Sequence, residues 1–330
     1  MAKRFFSKSS FWNQPICDAR TDLKSDQYMG LLAQEPNGPF GINLEKWTVP
    51  VFEVDQSVPR RKVSVRTYTD QELTEKGSKW VGVGDRFGHF PDFANRGVPV
   101  PDYAQADPAG DAHMAIVDWT RNMVWDMWAV KRDKYGNFSS NTGMSYRLSG
   151  EGVFMTSDFP VKDGESIHFY GPSRAAGVPA IAGLIMHDEV AEGGISHRLA
   201  CATRYNAYKE FVYPACWTDG YCDGGIPEGA VIQLDPDLDI GKFDLTAGER
   251  IVAKALQEYG AVNVDNAGGT SLYAEGLWAR PGKSWHGILT NTGLMHIPVD
   301  HYRVLELGEV TRMGDSKRSA AAKNPSANSS

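Results

Sequence analysis

The sequence predicts a mainly β protein with a β-sandwich or jelly-roll-like architecture and a few flanking helices. Most of the chain consists of short β-branched and aromatic runs separated by clusters of Gly, Pro, Asn and Asp, a pattern typical of strands and turns. Only two segments carry a helical pattern. No repeat with a period of roughly 20 to 50 residues is visible, so we do not expect a propeller or a solenoid.

The strand predictions follow the β-branched runs along the chain. They cover residues 47–54, 62–67, 115–118, 167–170 and 231–234. The clearest hairpin joins residues 113–117 to residues 123–130. Apolar and aromatic side chains occupy both faces of its second strand, so we expect one face in the core and the other along a cleft.

The stronger helix is predicted over residues 247–259. Thr246 can cap its first turn, Glu249 completes a capping box, and Gly260 ends it. One apolar stripe runs along it, made of Ile251, Val252, Ala255, Leu256 and Tyr259.

A second helix is predicted over residues 181–191, ended by the glycine pair 193–194. The same run also fits a strand. As a helix, it places Asp188 and Glu189 in its last turn, where the helix dipole disfavours negative charge.

Length and composition indicate one β-rich globular domain over residues 1–314. The chain has 330 residues, of which 42% are hydrophobic and 23% are charged, as in an average soluble protein. Residues 315–330 contain almost no bulky apolar side chain, so burial cannot offset the entropy of ordering them. We expect this tail to be disordered.

Charge and hydropathy argue against two classes of partner. The formal net charge is -7, with acidic and basic residues interspersed, so no basic stripe is available for nucleic acid. The longest apolar stretches, such as residues 178–186, are far shorter than the roughly 20 residues that cross a bilayer. We therefore expect neither nucleic acid nor a membrane as partner.

The four cysteines bear on the compartment. Cys216 and Cys222 flank a turn-rich run, and a disulfide between them suits an oxidising, secreted or periplasmic location. The alternative is four reduced thiols in a cytosolic protein, since a core of this size is stable without disulfide bonds. The cysteine spacings match no zinc motif.

Three short segments carry candidate catalytic or binding residues. Asp111 and His113 precede the hairpin and point to the same side of an extended chain, although Asp111 can also be a turn cap and His113 a surface residue. Asp188, Glu189 and His197 form the second group, since carboxylates with a raised pKa serve as general acids. A solvated helix end is the alternative there.

The third segment ends a predicted strand in a glycine-rich loop. Asp265 and Asn266 can bind sugar hydroxyls, or they can be ordinary turn formers. Aromatic residues favour a glycan ligand as well, because their flat faces stack on sugar rings. The chain has nine Trp, 13 Tyr and 14 Phe, and Trp125 and Trp128 lie close in sequence to the first candidate segment.

No cofactor is required by any motif. A divalent metal held by Asp111, His113, Glu189 and His197 is one alternative, because two histidines with carboxylates suit several such ions. No short metal-binding motif accompanies these four residues.

The chain carries several short motifs between residues 110 and 269: AAGVPA at 175–180, GL at 183–184, DEV at 188–190, GISH at 194–197, YPA at 213–215 and ALQEYG at 255–260, followed by Asp265, Asn266 and Gly268. Together they resemble a largely uncharacterised group of secreted bacterial proteins that often accompany extracellular polysaccharide-associated domains. The resemblance implies export and a glycan context. The group commonly reads His-Ala-Leu where this chain has Arg198 between His197 and Leu199, which leaves the role of Arg198 open.

Three functions follow from these observations. The first is hydrolysis of glycosidic bonds in an extracellular polysaccharide, with two of Asp111, Asp188, Glu189 and Asp265 as the catalytic pair. The second is β-elimination on a uronate-containing glycan, for which the chain offers His113, His197, Arg198 and Tyr205. The third is carbohydrate binding without catalysis. Both enzymatic hypotheses expect these distant segments to meet in one hollow.

Overall fold

The computed structural model describes residues 4–35, 38–65, 96–154, 174–278 and 280–312, and within them the chain is mainly β. The larger sheet has six strands, in the order β1 (Gly41–Asn43), β14 (Ser271–Tyr273), β9 (Leu199–Thr203), β13 (Ala261–Asn266), β12 (Val231–Leu234) and β16 (Tyr302–Val304). The second has five, in the order β15 (Glu275–Gly276), β2 (Val49–Val54), β4 (Met114–Asp118), β5 (Met123–Trp128) and β8 (Thr142–Arg147).

Two small sheets and three α-helices complete the described part of the chain. The small sheets are β11 (Ile226–Glu228), β10 (Asn206–Phe211) and β17 (Thr311–Arg312), and β3 (Val63–Val65), β7 (Phe138–Ser140) and β6 (Lys131–Arg132). The helices are α1 (Ser25–Leu32), α2 (His187–Glu192) and α3 (Ala247–Glu258). No helix in these ranges is long and apolar enough to cross a bilayer.

The predicted hairpin is confirmed as the antiparallel pair β4 and β5. Alternate side chains of β4 enter two different cores, with Val117 on one face and Ile116 on the other. Strand β3 lies inside the predicted run 62–67, whereas the predicted strand 167–170 and the predicted tail 315–330 lie outside the described residues.

Three apolar clusters hold the sheets and helices together. The first contains side chains of both large sheets, among them Val117 of β4 and Ala200 of β9. The second joins the six-stranded sheet to α1 and α3, through residues such as Leu32 and Leu256. The third lies between the five-stranded sheet and β3 and β7, where Ile116 packs. Both large sheets are therefore buried on two faces.

Helix α3 is confirmed almost to the residue. Thr246 Oγ1 accepts the backbone N–H of Glu249 at 3.1 Å, and the Glu249 carboxylate accepts the N–H of Thr246 at 2.7 Å, so the capping box is complete. Gly260 follows at a φ of 72°, a conformation that glycine adopts without steric cost.

The second predicted helix is wrong in extent and in its charge placement. Residues 181–185 are buried on all sides, and the N–H of Ile185 bonds to the carbonyl of Tyr273 at 2.9 Å as in a sheet bridge. A helix starts only at His187, so Asp188 and Glu189 occupy its first turn, where the dipole favours them. An apolar run without a polar face gave no periodicity that distinguishes strand from helix.

The expected disulfide does not form in this structure. All four cysteines are free thiols, and the Cys216 thiol bonds to the Gly177 carbonyl at 3.3 Å. Burial of Cys216 against this carbonyl occupies the side chain that would have paired with Cys222.

Candidate functional site

Two adjacent parallel strands bring the main candidate site together. Strands β9 and β13 pair in parallel, so their carboxyl ends lie at the same edge of the six-stranded sheet. The chain turns there at Thr203 after β9 and at Asn266 at the end of β13. Loops that follow parallel strands at such an edge are a common position for ligand sites.

A network of amides joins the two strand ends to a third segment. Asn206 donates from Nδ2 to Glu228 Oε1 at 2.8 Å and to the backbone carbonyl of Asp265 at 2.7 Å. Asn263 Nδ2 donates to Asn206 Oδ1 at 3.0 Å, and Asn266 Nδ2 donates to the carboxylate of Asp219. The carboxyl groups of Asp219 and Glu228 therefore border one amide-lined centre, to which Asp265 is joined through its backbone carbonyl. We call these three residues the carboxyl cluster.

Close backbone packing places Asp219 and Glu228 in this cluster. A Cβ on Gly220 would lie 2.0 Å from the carbonyl oxygen of Ala207, and one on Gly229 would lie 1.8 Å from that of Val212. Any larger residue would push the segment that carries Asp219 and Glu228 away from β10.

Burial and mutual repulsion raise the pKa of two carboxyl groups of this cluster. The pKa of Glu228, a fully buried residue, is raised well above its usual value by burial and then by the charge of Asp219 and a hydrogen bond to it. The pKa of Asp265 is likewise raised well above its usual value, first by burial and then by the charges of Asp219 and Asp111. Asp265 as a residue is only partly buried, although its carboxyl group is removed from water.

A buried cation lies behind Asp265. The guanidinium of Arg174 sits 3.9 Å from the centre of the Tyr273 ring, and the Tyr273 hydroxyl donates to Asp265 Oδ2 at 3.4 Å. The Arg174 charge lowers the pKa of Asp265 and of Asp111, in opposition to the larger effect of burial. Asp111 is thus electrostatically linked to Asp265, so two of the predicted segments meet.

His113 lies in the same region without an acid-base role. Burial, followed by the nearby Arg174 charge, lowers the pKa of His113 to about 3. The imidazole is therefore neutral at physiological pH. It cannot act as the proton shuttle near neutral pH that its place in the sequence suggested.

The two predicted tryptophans have different environments. Trp128 is partly exposed and donates from Nε1 to Asp111 Oδ1 at 3.3 Å, at the edge of the site. Trp125 is 3% exposed and packs in the third apolar cluster, so the expectation that it lines a cleft is wrong. The face of β5 that carries Trp125 is covered by β3, β7 and their connections.

Partly exposed rings border the cluster on another side. Tyr205 and Tyr221 lie close to each other, and the charges of Arg204 and Asp219 both affect the pKa of Tyr221, which burial raises. Tyr205, predicted as a substrate contact, is therefore a neighbour of the carboxyl cluster.

The remaining predicted residues form a second group at α2. His197 Nε2 lies 2.9 Å from Glu189 Oε2, and its Nδ1 donates to the carbonyl of Arg198 at 2.8 Å. Glu189 and His197 line a small cleft with residues of the N-terminal segment, Phe5, Phe6, Trp12 and Asn13. The guanidinium of Arg198 lies 4.0 Å from the ring centre of Phe11 and bonds to its carbonyl. This arrangement fixes the N-terminal segment.

Asp188 belongs to an ion-pair network instead of an acid-base pair. Its carboxylate bonds to Arg280 Nη2 at 2.9 Å and to Lys283. The pKa of Asp188 is lowered by these cations in spite of burial, so the expected raised pKa is not found there. The predicted residues thus fall into two groups, one at the carboxyl cluster and one at α2.

The structure offers no support for the alternative of a metal at Asp111, His113, Glu189 and His197. In the part of the chain that the structure describes, no group of three or more His, Cys, Asp or Glu side chains is arranged to hold a metal ion.

Sequence reasoning missed Arg174, Asp219 and Glu228. Each sits in a turn-rich or Pro-containing stretch where a charged residue is ordinary, so the local sequence carries no signal. Asp126 was recognisable from the sequence, because an acidic residue that interrupts an apolar strand indicates a buried polar contact. Its Oδ2 accepts the Tyr146 hydroxyl at 2.8 Å and the Ala180 N–H at 2.6 Å.

Comparisons of the chain with family models, with curated proteins and with solved structures find no match.

Proposed function

We propose that the protein hydrolyses glycosidic bonds of a polysaccharide, with Asp265 as the general acid and Asp219 as its partner carboxylate. The observation that carries this proposal is the carboxyl cluster at the carboxyl ends of β9 and β13. Its environment raises the pKa of Glu228 and Asp265 beside Asp219, and carboxyl groups with a raised pKa serve as general acids.

Asp265 suits the acid role. Its raised pKa favours the protonated carboxyl group, and the residue is partly exposed. In the proposed reaction this proton goes to the glycosidic oxygen as the bond to the anomeric carbon breaks.

Asp219 suits the role of base or nucleophile. Its carboxylate accepts a hydrogen bond from Asn266 Nδ2 and lies next to Glu228, whose raised pKa favours a proton that can be donated to it. It activates a water molecule or attacks the anomeric carbon directly, and water finally adds to that carbon. Glu228 is fully buried and supports Asp219 without touching substrate.

Partly exposed aromatic and amide groups support a glycan as substrate. Tyr205 and Tyr221 offer ring faces, while Asn266 and Asp265 offer polar atoms for hydroxyl groups. A polymer of this kind is extracellular, so we also propose that the protein is secreted or periplasmic. For the fold we propose a sandwich of the two large sheets, which contribute side chains to one apolar cluster.

The test measures both possible products of polysaccharide cleavage. The chain is incubated with neutral and uronate polysaccharides, and reducing ends and the ultraviolet absorbance of unsaturated sugars are read together. Reducing ends without absorbance are expected. Absorbance together with reducing ends indicates a lyase. Binding of a polysaccharide without either product indicates a binding protein. Both outcomes contradict hydrolysis.

Three variants tie cleavage to the carboxyl cluster. Asp265→Asn and Asp219→Asn are each expected to lower the rate at least about a hundredfold, because each removes one of two acid-base groups. Asp223→Asn, an exposed carboxylate in the same loop as Asp219, is the matched control and keeps the parental rate. Full activity in Asp265→Asn would overturn the assignment.

A further inference from the structure

The surface beside Asp111 carries an exposed tryptophan that the sequence pattern did not single out. The side chain of Trp47 is 47% exposed, although large aromatic side chains usually bury most of their surface. Its six-membered ring lies over Gly110, since a Cβ on that glycine would be 3.7 Å from the ring carbon Cη2. The ring is therefore both open to solvent and fixed next to Asp111.

The backbone of Trp47 is held in an unusual conformation. Its φ is 59°, in the left-handed region that a bulky residue rarely adopts. The buried carboxylate of Asp107 enforces this shape, because it accepts the N–H of Trp47 at 3.1 Å and the N–H of Thr48 at 3.0 Å. Thr48 Oγ1 donates to the same carboxylate at 2.6 Å.

The same carboxylate also fixes the segment under the ring. Asp107 Oδ1 accepts the N–H of Ala109 at 2.8 Å, so one buried side chain sets the position of Trp47 and of the turn before Asp111. Ala112 and Ala129, on either side of this turn, also have positive φ values of 41° and 53°. Backbone strain that surrounding contacts enforce in this way is typical of ligand sites.

A second ring contacts Asp111 itself. Trp128 is partly exposed, and its Nε1 donates to Asp111 Oδ1 at 3.3 Å. Asp111 is thus bonded to one indole and follows the glycine that lies under the other, and its charge reaches Asp265 in the carboxyl cluster. Two indoles beside a carboxyl group match a pyranose ring, which has apolar C–H faces and equatorial hydroxyl groups.

We propose that Trp47 and Trp128, together with Asp111, form a sugar-binding subsite in which a pyranose ring of the polysaccharide stacks on Trp47. This inference rests on the proposed function for its ligand class. It adds a position along the glycan that is remote from the reacting bond, so it concerns binding and not the chemical step.

The experiment is native gel electrophoresis of the full chain in gels that contain polysaccharide, which reports binding whether or not cleavage follows. The probes are soluble β-1,4-glucan, β-1,4-mannan, β-1,4-xylan and polygalacturonate. The wild-type chain is expected to be retarded by at least one of them. Trp47→Ala is expected to weaken that interaction about tenfold, and Trp47→Phe, which keeps a ring, is expected to retain most of it.

Tyr135→Ala is the control, since Tyr135 is an aromatic residue that is 77% exposed in the turn between β6 and β7. It is expected to bind like the wild type. Circular dichroism checks that every variant is folded.

Unchanged retardation of Trp47→Ala would overturn the subsite, as would a wild-type chain that no probe retards. A chain that binds through Trp47 and cleaves nothing would contradict hydrolysis and leave the subsite standing. The two proposals can therefore fail separately.

Discussion

A protonated histidine inside the protein links stability to pH. Both ring nitrogens of His197 face oxygen atoms, Glu189 Oε2 at 2.9 Å and the Arg198 carbonyl at 2.8 Å, and donation from both nitrogens favours the charged ring. Burial alone would lower the pKa of His197. The charge and hydrogen bond of Glu189 outweigh it, so the pKa is raised.

The sign of the pH dependence follows from this raised pKa. The ion pair stabilises the fold fully below the unfolded-state pKa of about 6.5 and is lost as pH rises through the folded-state pKa. His197→Gln is expected to lower the free energy of unfolding by about 3 kcal/mol at pH 6. The difference in the free energy of unfolding between the variant and the wild type should be smaller at pH 9. Urea unfolding at pH 6 and at pH 9 measures this difference. A difference independent of pH would contradict the ion pair.

A substitution of Glu228 is expected to stabilise the protein near neutral pH, in contrast to His197→Gln. Because its folded-state pKa is raised, the wild type loses stability as pH rises from the unfolded-state value towards that pKa. Glu228→Gln keeps the shape of a protonated carboxyl group and can still accept from Asn206 and donate to Asp219. It should match the wild type in urea unfolding at pH 4 and exceed it at pH 8. A loss of stability at pH 8 would show that Glu228 is ionised in the fold.

The prediction of helices succeeded where the segment itself contains the residues that start and end the helix. Helix α3 has a capping box, an apolar stripe and a terminal glycine, and each is a local property of the sequence. Helix α2 is six residues long and follows a fully buried run, so tertiary contacts decide where it begins. Helix α1 has no side-chain cap and was not predicted at all.

Close packing at the start of α3 overrides helix propensity. A Cβ on Gly248 would lie 2.5 Å from the carbonyl oxygen of Ile288. Gly248→Ala is therefore expected to destabilise the protein by about 1 to 3 kcal/mol, although alanine favours a helix interior by roughly 0.5 to 1 kcal/mol. Gly30→Ala in α1 is the matched control, since nothing lies within 4 Å of its Cβ, and it should stabilise. Equal effects in urea unfolding would contradict the packing argument.

For the molecule as a whole, the mainly β class was predictable, whereas the site was predictable only in part. Asp265 and Asn266 were identified because they end a strand in a glycine-rich loop. Their partner Asp219 precedes them by more than forty positions, and only the parallel pairing of β9 with β13 and the folding of β10 and β11 bring it near. Spacing along the chain contains no record of such tertiary pairing.

The whole fold determines whether the cysteines are free thiols, and the number of free thiols can be counted. Cys17 is exposed and Cys222 partly exposed, whereas Cys201 and Cys216 are buried, and burial raises the pKa of the Cys201 thiol. Unreduced protein in denaturant is expected to show four thiols by reaction with a disulfide reagent, and native protein two fast ones. A count of two thiols in denaturant would contradict this and indicate a disulfide, such as the one expected between Cys216 and Cys222.

The proposed acid requires that Glu228 and Asp265 hold protons near neutral pH, because both lie in one buried cluster with Asp219. Carboxyl ¹³C chemical shifts, followed from pH 3 to pH 8 in protein labelled at Asp and Glu side chains, measure this directly, with Glu228→Gln and Asp265→Asn assigning the two signals. We expect both signals to remain in the protonated position at a pH where the signals of exposed carboxyl groups have moved to the ionised position. If both titrate together with the exposed groups near pH 4, the cluster does not retain protons and the proposed acid has no basis.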